Sequence, residues 1–316
     1  MSSYVKQVVS SIQQEIDGKR MVESGDLIEK ILIAYLLNGH VLIEGPPGTG
    51  KTRIAKALAK VLGRCFRRVQ FTSDLLPADI IGMNIYSQKN EEVKFIEGPL
   101  FSDFVLGDEI NRAPPRTQSA LLEAMEESQV TVEGKTYQLS PRFFVLATQN
   151  PRDFEGTFPL PEAQLDRLHF KLDRNHLNSL GEKKILHAHL SGEFKGNPNI
   201  KLSSIEIDFE KVAAELASVV FDAKLIDYIT ALIHATRNHE WLEWGASIRG
   251  GIALAESARV AALLDERAYV IPDDIIEYIK PCLRHRIRLN TEAQINQIRE
   301  DDVLSDITKS VSFPGL

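Results

Sequence analysis

Asp108 and Glu109 stand side by side at the end of an apolar run, in the stretch FVLGDEINRAP. A buried strand that stops at paired carboxylates needs something to receive them: a cation, a water to be deprotonated, or both. Upstream, GPPGTGKT at residues 45–52 supplies the rest of such a site, satisfying G-x-x-x-x-G-K-[ST] between an apolar strand and an amphipathic helix. Glycines let backbone N–H groups turn inward as an anion nest at a helix N-terminus. Gly45, Pro46, Pro47, Gly48, Thr49, Gly50, Lys51, Thr52 and Arg53 are thus the expected nucleotide-binding residues, Lys51 reaching the β- and γ-phosphates and Thr52 ligating Mg²⁺.

With a phosphate cradle in place, the two carboxylates divide their work. Asp108 is expected to hold Mg²⁺ largely through its water shell, since that ion favours hard oxygen ligands and keeps several waters. Glu109, projecting differently, is expected to polarise the water that attacks the γ-phosphate. Transfer of phosphate to an acceptor needs no water-activating acid, so the pair favours hydrolysis. At the end of a later apolar run, LATQNP brings Asn150 to the edge where an amide can orient that water.

These residues require strands that end at a common edge. Apolar strands are expected at residues 40–44, 65–70, 103–107 and 142–148, with amphipathic helices such as 51–62 and 116–128 between them, which is the signature of a parallel α/β sheet. Beyond residue 172 helical patterns take over, at 181–190, 209–217, 223–237, 247–264 and 272–288, with SGEFKGNPN at 191–199 as a loop. Residues 291–316 are polar with weak periodicity and give no element. Residues 83–99 and 129–140 read as hairpins, either free-standing or extending the sheet.

A chain of 316 residues with 43% hydrophobic and 26% charged residues suggests a globular protein of two domains. Its net charge of -7 argues against broad binding to nucleic acid or anionic lipid. Cys65 and Cys282 lack any CxxC or Cys/His spacing and read as core thiols of a reducing compartment. The apolar stretch at residues 31–43 is broken by Asn38-Gly39 and is too short to span a bilayer, and the N-terminus lacks the layout of a signal peptide. The cytoplasm is the expected location, with no membrane insertion.

Longer stretches carry a family resemblance: VQFTSDLLPADIIG, EGPLFSDFVLGDEINRAPPRTQSALLEAMEESQVTVEG, FFVLATQNPRDFEGTFPLPEAQLDRLHF, GASIRGGIALAESARVAAL, and YVIPDDI followed by LRHRI. In this order, from about residue 39 to residue 290, they resemble the AAA+ ATPases and, within them, the MoxR type. The resemblance implies a P-loop parallel sheet core with helices on both faces and a smaller all-α lid domain. Its divisions would be an N-terminal helical segment at 1–38, the nucleotide-binding domain with two hairpin insertions at 39–173, and a lid at 174–316.

It also implies ring assembly, typically as a hexamer, with ATP and Mg²⁺ held between subunits. Arg167 matches the arginine finger that reaches the neighbouring subunit's γ-phosphate, and Arg249 matches sensor 2, a lid arginine that contacts nucleotide in its own subunit. The hairpins match insertions that face the ring pore or partners. Expected partners are a von Willebrand factor A domain protein and a client protein that is remodelled, assembled or activated. Alternatives are a magnesium-chelatase-like motor subunit and a slow nucleotide-gated assembly switch. A DNA motor is disfavoured, because residues 83–97 carry two lysines against three glutamates and residues 130–139 one of each. The chain departs from the family pattern at Val22-Glu23-Ser24 near the adenine, at Gly107 where alanine commonly precedes the acidic pair, at Ile248 where proline often precedes the sensor 2 arginine, and in the residues after Arg167.

Overall fold

Alternation along the central strands decides the architecture. The structure, a computed structural model, describes residues 3–17, 24–88, 91–150, 156–176, 178–191 and 202–314. Five strands, β1 (Val41–Glu44), β2 (Phe66–Gln70), β3 (Phe104–Asp108), β4 (Phe144–Gln149) and β5 (Phe170–Asp173), form one parallel sheet in the order β2-β3-β4-β1-β5. Val41, Ile43, Phe104, Leu106, Phe144 and Leu146 enter one apolar core, while Leu42, Val105, Val145 and Ala147 enter a second. Successive side chains point to opposite faces, so these strands are buried on both sides and read as near-continuous apolar runs. The four expected strands appear within two residues of their predicted bounds, and β5, only four residues long, is an addition.

The first core runs without a break into the helical half. Helix Tyr4–Asp17 contributes Val5, Val8, Val9, Ile12 and Ile16, and the lid-side helices Ile248–Leu264 and Pro272–Leu283 join the same cluster. Glu215 from helix Phe209–Ser218 accepts the backbone N–H groups of Tyr4 (2.8 Å) and Val5 (3.0 Å), satisfying orphan donors at that helix's start. Phe170 of β5 stacks on Tyr278 with centroids 5.8 Å apart.

Two expectations are corrected. The helix expected at 272–288 stops at Leu283, and Arg288–Leu289 instead pairs with Leu242–Trp244. The cause is tertiary: His285 Nε2 donates to the carbonyl of Leu168 (3.0 Å), and Arg286 donates to Asp166, Leu168 and His169, drawing this segment off the helical path. Cys65 is exposed, its backbone N–H capped by Asp103, and Cys282 alone is a core thiol. The uncharted tail forms helices Thr291–Ile295 and Glu300–Ser310, the second burying Val303, Leu304 and Ile307. Both hairpins are free-standing two-stranded sheets, Gly82–Ser87 with Glu92–Glu97 and Gln129–Val132 with Lys135–Gln138. They are joined to each other by Phe95 stacked on Tyr137 (4.1 Å) and by Asn84 Nδ2 donating to Glu133 (2.7 Å). Most of the loop expected at 191–199, Lys89 and Asn90 of the first hairpin's turn, and Val22-Glu23 lie outside the described residues.

Buried imidazoles line the amino edge of the sheet. His40 Nε2 donates to Met125 O (2.9 Å) while its Nδ1 accepts from the N–H of Val145 (3.1 Å), an arrangement that requires the neutral ring. Burial pulls its pKa down to about 4, and burial with the nearby Arg286 and His40 pulls His169 down to about 3. Unfolded imidazoles take up protons below about 6.5, which the folded ones refuse, so stability present above that pH is lost as pH falls towards the folded values. The melting temperature is therefore expected to drop between pH 6.5 and 5, above the range in which most carboxylates protonate, and His169→Asn is expected to flatten that slope. Calorimetry across this window checks it; a level profile in the parent protein contradicts it.

Candidate active site

The cradle forms because β1 ends at Glu44 and helix Lys51–Val61 begins after a six-residue loop, with Gly48 (φ 80°) and Gly50 (φ 84°) in left-handed backbone that suits glycine. Gly45 is demanded by space: a Cβ there would lie 2.1 Å from the carbonyl oxygen of Arg174. Lys51 Nζ donates to Gly45 O (2.6 Å) and Thr49 Oγ1 to Pro46 O (3.0 Å), which ties the loop to itself. Behind it the buried Arg174 reaches Thr49 O (3.4 Å) and Ser24 Oγ (3.2 Å), and its N–H donates to Glu44 O (2.7 Å).

The loop faces a cavity of about 420 Å³ lined by Pro47, Gly48, Thr49, Gly50, Lys51, Thr52 and Arg53, and also by Arg68, Gln70, Asp108, Glu109 and Asn150. Sequence-expected residues of the cradle, the acidic pair and Asn150 are thus brought together at the carboxyl edge of β1, β3 and β4. Thr148 knits the acidic pair: its hydroxyl donates to Asp108 Oδ1 (2.6 Å) and accepts the N–H of Glu109 (3.0 Å). Glu109 itself takes left-handed backbone (φ 58°, ψ 51°), uncommon for a non-glycine residue, and so leaves the strand's alternation. Its carboxylate accepts from Gln70 Nε2 (3.1 Å) and pairs with Arg112 (2.9 Å). Gly107 keeps this turn compact, since a Cβ there would press on Ile110 at 3.1 Å.

Sequence reasoning passed over Arg68, Gln70 and Arg174. The available signal for the first two was their i,i+2 spacing on β2, which puts both on one face, with Gln70 in register with Asp108.

Arg167 and Arg249 are not brought to this cavity. Both pair with one carboxylate, Glu126, at 2.7 Å and 2.5 Å, and Arg167 also donates to Leu122 O (3.1 Å). Glu126 closes helix Pro115–Glu127 next to Met125, which His40 holds just before β1 begins. The arginines therefore lie at the amino edge of the sheet. From His40 to Gly45 is five residue steps, roughly 16 Å at strand rise, more than an arginine side chain spans. Arg249, expected to contact nucleotide of its own subunit, is held here by Glu126 and lies near Asp166.

The donor set suits the expected ligands. Backbone N–H groups and Lys51 suit phosphate, while the Thr52 hydroxyl and Asp108 carboxylate are the hard oxygens Mg²⁺ prefers. Among the described residues no cluster of His, Cys, Asp or Glu is arranged to hold a transition metal, and no helix is long and apolar enough to cross a membrane.

Comparison with known proteins agrees with this geometry. The ATPase family associated with various cellular activities (AAA) matches residues 40–170, and an AAA lid domain matches residues 234–307. Chaperone MoxR1 of Mycobacterium tuberculosis is 40% identical, covering 94% of this chain and 80% of that protein. The uncharacterised protein YeaC of Bacillus subtilis is 44% identical, covering 97% and 93%, and protein MoxR of Methylorubrum extorquens is 25% identical, covering 97% and 94%. A solved structure from Cytophaga hutchinsonii, provisionally named an ATPase, superposes with a TM-score of 0.87 at 38% identity, covering 98% of this chain and 96% of that one.

Gly45→Ala is expected to displace the loop and remove binding of a fluorescent ATP analogue while the protein stays folded by circular dichroism. Binding at the parent affinity would show that the close approach of Arg174 is not a constraint.

Proposed function

This chain belongs to the MoxR-type AAA ATPases, and we propose that it assembles into a ring and couples hydrolysis of ATP to ADP and phosphate to chaperone-like remodelling of partner proteins. Lys51 would bind the β- and γ-phosphates, and Thr52 and Asp108 would hold Mg²⁺, which would supply charge neutralisation for the transferring phosphoryl group. Glu109 takes the proton of the attacking water and Asn150 orients it. The boundaries we propose are 1–38, 39–173 and 174–316, with the joined hairpins facing a client or a von Willebrand factor A domain partner.

One observation carries the ring reading. Arg167 and Arg249 share Glu126 at the amino edge of the sheet while the cradle lies at the carboxyl edge. A copy of the chain cannot complete its own site with these residues, so we assign both, Arg249 included, to the nucleotide of a neighbouring copy. A guanidinium supplied in this way stabilises charge on the transferring phosphoryl group. A slow, nucleotide-gated assembly switch is the second reading, favoured by the hold that Gln70 and Arg112 keep on Glu109. We assign the protein to the cytoplasm, consistent with its free cysteines.

Lys51→Ala is expected to lose nucleotide binding, and Glu109→Gln to bind ATP but turn it over about 10²- to 10⁴-fold more slowly, the usual worth of a general base. Equal loss of ATP affinity in both would reject these roles. Arg167→Ala and Lys51→Ala are each expected to be inactive alone, yet a mixture should regain turnover, because an intact cradle then meets an intact finger. Parent turnover should rise with protein concentration until assembly saturates. No recovery in the mixture, or a fully active monomer by mass photometry, overturns the shared site.

A further inference from the structure

Arg68 stands where the metal and the water-activating acid meet. Its Nη2 and Nε donate to Asp108 Oδ2 at 2.6 Å and 3.2 Å, and the same Nη2 donates to Gln70 Oε1 at 2.7 Å. Gln70 passes the contact on, its Nε2 donating to Glu109 Oε2 at 3.1 Å, while Thr148 occupies Asp108 Oδ1 at 2.6 Å. A guanidinium, an amide and two carboxylates thus form one chain across the mouth of the cavity. Asp108 is 12% exposed at its side chain and Arg68 46%, so the carboxylate is fixed and the cation is the partner able to swing out.

We propose that Arg68 is a positioning residue that competes with Mg²⁺ for Asp108. The proposal rests on the assignment of Asp108 as the metal carboxylate. Oδ2 cannot serve the guanidinium and the metal's hydration shell together, and a divalent ion beside a fixed positive charge is repelled. Mg²⁺ entry therefore requires Arg68 to leave. Once it leaves, Gln70 loses the donor that fixes its carbonyl, while Arg112 keeps its ion pair with Glu109. Arg68 is then a brake on the metal step and touches none of the reacting atoms. A merely structural ion pair would steady β2 against β3 without changing the magnesium requirement.

The test is a Mg²⁺ titration at fixed protein and fixed fluorescent non-hydrolysable ATP analogue, reading the Mg²⁺ concentration at half-maximal binding. Arg68→Met is expected to lower that midpoint by about two- to fivefold, the range such a partly exposed ion pair is worth. Arg68→Lys, which keeps the charge but not the fork, is expected to fall between. Arg67→Met removes an adjacent charge on the other face of β2 and is expected to leave the midpoint in place. An unchanged or raised midpoint in Arg68→Met overturns the proposal. An equal shift in Arg67→Met or in Arg68→Lys also overturns it, because net charge or packing would then suffice. The titration separates two failures: nucleotide binding that survives Lys51→Ala refutes the assignment of the cradle, whereas loss of binding there with no midpoint shift in Arg68→Met refutes the role of Arg68 alone.

Discussion

The guanidinium of Arg286 holds the two halves of the molecule in register. It is 3% exposed and donates to Asp166 Oδ1, to the carbonyls of Asp166, Leu168 and His169, and to the carbonyl of Cys282 in the preceding helix. A buried charge is tolerated only when so thoroughly bonded, and removing its acceptors would leave it uncompensated. Because these acceptors flank Arg167, the same contact sets where that residue emerges from the chain. Asp166 in turn accepts from Ser247, the N-cap of helix Ile248–Leu264, and so fixes the turn that carries Arg249. Lid, fifth strand and both amino-edge arginines are therefore tied to one short segment.

The sheet separates two tasks by its length. Its carboxyl edge gathers strand ends, helix start and left-handed loop residues into a phosphate site, as parallel sheets do wherever several strands stop together. Its amino edge is packed by His40, Met125 and the segment 166–169, and carries the arginine pair. One face of the sheet is continuous with the lid, so a change in lid position is felt by β5 and then by β1, whose far end is the cradle. Burial of apolar surface on both faces is the force that keeps this path stiff.

Much of the carboxyl edge was legible in the chain because its chemistry is local. A glycine-rich loop, an apolar run ending in Asp108-Glu109 and another ending in Asn150 are each written in consecutive residues, and short apolar runs marked four of the strands. What escaped depends on contacts between distant segments. Arg68 and Gln70 look like the solvated face of an edge strand until register sets them beside Asp108 and Glu109. Glu126 is one more acid in an amphipathic helix until two remote arginines converge on it. The helix ending at Leu283 has a pattern that runs on, and it stops because His285 and Arg286 bond elsewhere. Helix Glu300–Ser310 has a narrow apolar stripe of three residues, too sparse to register amid acidic neighbours.

The two hairpins carry a mechanical consequence. Either alone is a slender two-stranded ribbon, easily twisted. Stacked through Phe95 and Tyr137 and pinned through Asn84 and Glu133, they share bending loads like a braced truss. The root of the first is rigid as well: Gly82 and Gly98 pack so closely that a Cβ on either would lie 2.3–2.4 Å from the backbone opposite. The two ribbons are therefore coupled to each other along their described strands. The second ribbon follows helix Pro115–Glu127 after one residue, and that helix begins six residues after Glu109 and carries Glu126 in its last turn. That helix links the truss to both edges of the sheet, with Glu109 towards one end and the arginine pair at the other.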